Sequence, residues 1–137
     1  MRLTLLLLGL AAGLAPASGA VAAACPTAQE GFRRLASPQA EIAYRWEPAR
    51  LKVGQFFAAV VVVCRAAERR PVRTIAVDAT MPAHGHGMNY RPAGTRTGPQ
   101  SFRITGLMLH MPGKWRVTFD VVQGDKRTRL TEEISLK

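Results

Sequence analysis

The sequence predicts an all-β fold from its pattern of apolar, polar and turn-forming residues. Apolar and polar residues alternate with a period of two over several short segments, and turn signals containing Gly or Pro separate these segments. After the N-terminal leader, no segment shows the longer apolar periodicity of an extended amphipathic helix. Short strands with turn signals about every 8 to 12 residues are typical of a sandwich. We therefore expect an immunoglobulin-like antiparallel β-sandwich of about seven strands, with a small closed barrel as the alternative.

The chain begins with a segment that resembles a secretory signal. Arg2 supplies a short positive region, an uncharged run rich in leucine and alanine follows, and small residues precede Cys25. We expect residues 1–24 to be a cleaved signal peptide and the protein to be periplasmic or otherwise secreted. The alternatives are an uncleaved anchor helix, since residues 3–24 are long enough to span a membrane, and a lipoprotein acylated at Cys25.

The remaining chain is expected to form one small domain with an N-terminal arm. Residues 25–40 combine Pro, Gly and Ser with little periodicity, so we expect an irregular arm that contains at most a short helical turn. The domain proper is expected over residues 41–137. Four consecutive valines at residues 60–63 favour a buried strand, because β-branched residues at this density suit a pleated sheet. The expected strands are residues 41–46, 55–65, 72–81, 101–109, 114–122 and 126–136, with a loop at residues 92–99.

The two cysteines, Cys25 and Cys64, are the only ones in the chain. In an exported protein an even number of cysteines first indicates a disulfide. A bridge between them closes a loop of about 40 residues, which the chain-entropy argument values at roughly 3 to 4 kcal/mol. The alternative is that either thiol serves as a metal ligand. We expect the disulfide, because export normally passes through oxidising conditions.

The chain is strongly basic, with 19 Lys and Arg against 9 Asp and Glu and a net charge of +10. Nucleic acid is the usual partner of such a charge. However, no aromatic residues interleave the basic residues as a stacking platform would require. One group brackets a single turn, Arg65, Arg69, Arg70 and Arg73, and another is spread over separate expected strands, Arg103, Arg116, Arg127 and Arg129. We expect a solvated basic surface and no nucleic acid, with weak attraction to anionic lipid or an acidic partner as the alternative.

No constellation of catalytic residues is apparent in the sequence. A hydrolase needs a nucleophile, a base and an orienting acid in defined positions. The serines of the expected domain are scattered, and none lies in a nucleophile-elbow motif. We therefore expect a binding module and not an enzyme.

Every histidine, and every methionine after the first residue, falls within one stretch of the chain, residues 81–111. These residues form two clusters, MPAHGHGM and MLHM. Imidazole nitrogens and thioether sulfurs suit copper, whereas the absence of a carboxylate in either cluster disfavours a hard cation such as Ca²⁺. The sequence therefore predicts a metal site, with copper as the expected cofactor.

The alternation of side chains in a strand selects a smaller set of ligands. In an extended chain His84, His86 and Met88 project from one face. The same rule pairs Met108 with His110 in the second cluster. If the two segments are neighbours, these five side chains are the expected copper ligands.

Met81 and Met111 are less favoured ligands, because each adjoins a proline and is expected to pack at a strand end. A blue-copper centre is not expected, since it needs Cys, His and Met close together and Cys64 lies among valines. The alternative to any metal site is structural, with methionines that fill the core and histidines that brace an irregular loop. The partner is then a periplasmic protein and not a metal.

The chain from MPAHGHGM through FRITGLMLHMPGKWRVTFDV resembles the YtkA-like domain family, itself similar to FixH-like proteins. The resemblance covers roughly residues 44–136 and implies an exported or membrane-anchored domain with an immunoglobulin-like fold. FixH-like relatives are associated with a copper-transporting pump and with cytochrome oxidase assembly, which implies copper but transfers no ligand set. Those relatives carry a membrane anchor, whereas this chain begins with an apparent cleavable signal, so membrane association stays open. The matching residues are Met81-Pro82 with His84 and Gly85, Gly106 with Leu107, and Met111-Pro112-Gly113 with Trp115.

Overall fold

Nine strands form the described part of the chain, which in this computed structural model is residues 24–66 and 70–137. The predicted signal peptide lies outside the described residues, apart from its last residue. Short 3-10 turns occupy Ala28–Glu30 and Pro82–His84. Within the described ranges, no helix has the length and apolar character needed to cross a bilayer. The strands are β1 (Arg33–Ala36), β2 (Ala40–Glu47), β3 (Phe56–Ala66), β4 (Thr74–Met81), β5 (His86–Gly87), β6 (Ala93–Arg96), β7 (Ser101–Met108), β8 (Gly113–Gln123) and β9 (Lys126–Leu136).

The strands form two antiparallel sheets. Sheet A has the order β1-β2-β3-β7-β6, and sheet B has the order β5-β4-β8-β9. The prediction of an all-β antiparallel sandwich is confirmed. Three short strands, β1, β5 and β6, were not predicted, and each lies at the edge of its sheet. Residues 25–40 were predicted to form an irregular arm. Part of this arm is instead strand β1, which pairs with β2 and joins sheet A.

The core lies between the inner faces of the two sheets. Tyr44 in β2 and Phe119 in β8 have no exposed surface, and their ring centroids are 4.7 Å apart, so they join sheet A to sheet B. In the valine run of β3, Val61 and Val63 are buried in the core, whereas the valines at 60 and 62 are only partly buried. The run is therefore a half-buried strand, with one face towards sheet B and the other outward.

A disulfide ties the N-terminal arm to sheet A. Cys25 is bonded to Cys64 near the end of β3, with Cα atoms 5.2 Å apart, and no cysteine is free. The predicted pairing is confirmed, and neither thiol is available as a metal ligand or for acylation at Cys25. Since the bridge spans 39 residues, it restricts the unfolded chain considerably.

Both histidine and methionine clusters lie at one end of the sandwich, which we call the histidine end. There β4 ends at Met81, β7 ends at Met108 and β8 begins at Gly113. Because Thr80 of β4 pairs with Arg116 of β8, the turn after β4 adjoins the turn before β8. The two strand ends on which the metal hypothesis depended therefore meet.

Candidate functional site

A tight turn after β4 presents the first two histidines. Pro82 opens the 3-10 turn, since its fixed φ suits the first position and its missing N–H needs no partner. Gly85 closes the turn with φ 66°, in the left-handed region that favours glycine, and its N–H donates to the Met81 carbonyl at 3.0 Å. His86 then re-enters sheet B opposite Met81.

This turn replaces the extended run that was predicted from His84 to Met88. The prediction that His84 and His86 project from one face of a continuous strand was therefore wrong. The turn still brings the two imidazoles together, with ring centroids 5.8 Å apart. His84 is exposed and His86 is partly buried. Met88 is partly buried and packs against the core, while its N–H donates to the Ala79 carbonyl at 3.0 Å.

His110, from the second cluster, lies directly beside His86. Their ring centroids are 5.2 Å apart. The Nδ1 atom of His110 is buried and has no hydrogen-bond partner in the described chain. Buried polar atoms almost always have a partner, so this nitrogen is a candidate ligand atom. The Nδ1 atom of His86 lies 3.3 Å from the Gly87 carbonyl oxygen.

The indole of Trp115 packs against both of these imidazoles. Its side chain has no exposed surface, and its Nε1–H donates to the Met111 carbonyl at 2.9 Å, which fixes the indole. The rings of His86 and His110 lie 6.0 and 5.4 Å from it, in edge-to-face arrangements. From the sequence, Trp115 was placed in the expected strand 114–122 and in the motif that resembles the YtkA-like family, and it was given no role in the site. Its position two residues after the Pro-Gly turn was the available signal that it would lie under the site.

The methionines take two different positions at the histidine end. Met81 is buried in the core, and Met111 is partly buried and packs against the core, as was expected for strand-end packing. Met108 lies between the core residues Leu107 and Leu109, so it faces outward from sheet A and away from sheet B. Met108 therefore does not project towards His86, which lies in sheet B. Met88 and Met111 are the partly buried thioethers of this end.

The spacing of the imidazole rings suits ligation of one ion by two histidines. Two imidazoles bound to one ion at metal–nitrogen distances of about 2.0 to 2.1 Å have ring centroids roughly 5 to 6 Å apart. The His84–His86 and His86–His110 pairs both have this spacing. However, within residues 24–66 and 70–137 no group of three His, Cys, Asp or Glu side chains is placed to hold a metal ion. A site here thus requires rotation of a ring or a thioether as the third ligand.

The fold and this cluster define a class, a small all-β sandwich with three imidazoles and an indole packed together at one end. A scan against protein-family models, a search of curated proteins and a search of solved structures each found no match. The resemblance to the YtkA-like family therefore rests on the sequence motifs alone.

Proposed function

We propose that this protein is an exported copper-binding module of the YtkA-like kind, which holds Cu(I) at the histidine end. The single observation that supports this proposal most is the contact between His86 and His110, where two separate turns bring two imidazoles to 5.2 Å. The buried Nδ1 atom of His110 has no other partner among the described residues and would gain one on binding the metal.

The chemistry of the available donors favours copper over other metals. Imidazole and thioether groups suit Cu(I), and neither cluster contains the carboxylates that Ca²⁺ or Mg²⁺ would need. Since both cysteines are joined in the disulfide, the soft donors left are the methionine sulfurs. Thioethers do not form disulfides, so they remain available as ligands in an oxidising compartment.

We rank the proposed copper ligands by how close their side chains lie to one another and by their exposure. His86 and His110 come first, because their rings are adjacent and both pack on the fixed indole of Trp115. His84 is exposed and its ring is free to turn towards the other two, so it is the third imidazole. Met88 and Met111, the partly buried thioethers of this end, come next, whereas Met81, opposite His86, is buried in the core and Met108 lies outside it.

Anaerobic titration of Cu(I) against a competing chelator tests this proposal. We expect His86→Ala and His110→Ala each to lower the affinity about tenfold or more, since loss of one ligand from a small set removes a strong bond. Met111→Leu is expected to lower the affinity less. Met108→Leu is the matched control, because Met108 lies on the outer face of sheet A. Affinity that survives the His86→Ala/His110→Ala double substitution would refute the ligand assignment.

A second candidate function is supported by the edge-to-face contacts of His86 and His110 with Trp115. In this proposal the histidines brace the turns of a sandwich that binds a periplasmic protein and no metal. It predicts that His110→Phe, which keeps an aromatic ring on the indole, retains thermal stability in metal-free buffer while His110→Ala loses it. The copper proposal predicts in addition that Cu(I) raises the melting temperature of the unsubstituted protein and not that of His110→Phe.

A further inference from the structure

An exposed aromatic pair lies at the histidine end, on the outer face of sheet A. Phe56 and Tyr90 are the two large hydrophobic side chains exposed in the described chain, at 57% and 41%. Their ring centroids are 5.0 Å apart and their planes meet at 76°, an edge-to-face contact. Single exposed apolar residues are common on protein surfaces. Two rings from different segments that contact each other in solvent form a distinct feature.

Strand pairing and a backbone hydrogen bond hold Phe56 in place. Phe56 begins β3 and pairs with Met108 of β7, so the two side chains project from the same outer face. Met108 is 9% exposed although it lies outside the core between the sheets. The turn before β3 is also fixed, since the Gly54 N–H donates to the Leu109 carbonyl at 2.9 Å. We call Phe56, Tyr90 and Met108 the aromatic patch.

Positive charge lies on the two loops that adjoin the aromatic patch. Arg50 and Lys52 are exposed on the loop before β3, and Arg91 is exposed next to Tyr90. The loop segments that carry them, residues 48–55 and 88–92, contain no Asp or Glu. None of these three cations takes part in an ion pair within the described residues. Their charge is therefore available to a negatively charged partner.

We propose that the aromatic patch and its flanking cations dock the protein on the surface of an anionic phospholipid bilayer. Aromatic rings are favoured at the headgroup level, and Lys and Arg beside them attract anionic lipid. A stable protein interface usually needs about 800 Å² on each partner with a buried apolar centre, which two projecting rings do not supply. Insertion of a few side chains with electrostatic support is sufficient for reversible membrane binding. The inference does not rest on metal binding.

Docking in this orientation has a consequence for the rest of the molecule. The Gly54–Leu109 hydrogen bond places the loop before β3 directly beside the segment that leads to His110. The histidine end is then the end of the sandwich nearer to the bilayer. The opposite end, where Arg70 and Arg73 precede β4, faces away from it.

Cosedimentation with vesicles tests the proposal on the purified mature chain. The probes are vesicles of phosphatidylcholine alone and of an equal mixture of phosphatidylcholine and phosphatidylglycerol. We expect binding to the mixed vesicles, and a loss of about tenfold in partitioning for Phe56→Ser/Tyr90→Ser and for Lys52→Gln/Arg91→Gln. The matched control is Arg70→Gln/Arg73→Gln, which removes the same charge at the far end and should change binding less than about twofold. Melting curves confirm that each variant is folded.

Three results would overturn the proposal. The first is an equal loss of binding for Lys52→Gln/Arg91→Gln and for Arg70→Gln/Arg73→Gln, which would mean that net charge alone drives binding. The second is unchanged binding of Phe56→Ser/Tyr90→Ser, which would exclude insertion of the rings. The third is no binding of the unsubstituted protein to mixed vesicles, in which case the patch serves a protein with an apolar cleft and an acidic rim.

Discussion

Substitution of Gly113 by alanine should destabilise the fold and disturb the candidate site together. Gly113 is the first residue of β8, with φ 123°, a conformation that residues with a Cβ atom rarely adopt. A Cβ atom at this position would lie 2.5 Å from the terminal methyl of Met81, which is buried at the end of β4. The substitution therefore adds backbone strain and a steric clash at the point where the two turns of the site meet.

The cost is the sum of these two effects. Backbone strain of this kind costs about 1 to 3 kcal/mol, and overpacking in a core costs about 1 to 3 kcal/mol. Because the Met81 methyl is at the end of a flexible side chain, the clash is expected in the lower half of its range. We therefore expect a loss of about 3 kcal/mol in the free energy of unfolding, against a total of about 5 to 15 kcal/mol for a domain of this size.

Urea denaturation measures this loss, and two further variants separate its parts. Gly54→Ala is the control for strain alone, because Gly54 has φ 73° and no atom within 4 Å of an added Cβ atom; it should cost about 1 to 2 kcal/mol. A double-mutant cycle of Gly113→Ala with Met81→Ala should show a coupling of about 1 kcal/mol, since the smaller side chain removes the clash. Equal costs for the two glycines, with no coupling to Met81, would refute the reasoning.

Two further predictions concern stability. Burial raises the pKa of Glu132 above its ordinary value of 4.5, against the opposing effect of Arg33, with which it forms an ion pair at 3.0 Å. The stability that Glu132 contributes is therefore complete below pH 4.5 and is lost as the pH rises through the folded-state pKa. Glu132→Gln should therefore reduce the fall of the unfolding free energy with pH above this value, and parallel curves for the two proteins would contradict this. Removal of the disulfide by Cys25→Ala/Cys64→Ala should lower the unfolding free energy by roughly 3 to 4 kcal/mol in urea denaturation, and an unchanged midpoint would argue against the loop-closure account.

The long strands of this fold were predictable because burial imposes alternation on them. In β8, Trp115, Val117 and Phe119 are buried and the residues between them are not, so one face identifies the strand. The strands β1, β5 and β6 have at most four residues each, and none of their residues is buried. Their place at the sheet edges depends on backbone pairing with a neighbour, which leaves little signal in the side chains.

The candidate site was predictable in composition and not in local geometry. That the clusters contain imidazole and thioether groups is a property of the sequence, whereas the choice of side chains depends on the path of the backbone. Gly85 in the left-handed region converts the expected strand into a turn, and the end of β7 at Met108 stops the alternation that paired it with His110. Glycine permits both the extended and the turned conformation, so the glycines of HGHGM left this point open.

Two strand pairings in sheet B determine the spacing of the two principal imidazoles. His86 pairs with the end of β4, and β4 pairs with β8, whose Trp115 supports both His86 and His110. The distance between these two rings is therefore held by sheet B and by a buried indole. The position of His84 depends instead on the 3-10 turn after β4. It follows that a change confined to that turn, such as Gly85→Ala, should displace the His84 ring while the contact between His86 and His110 persists.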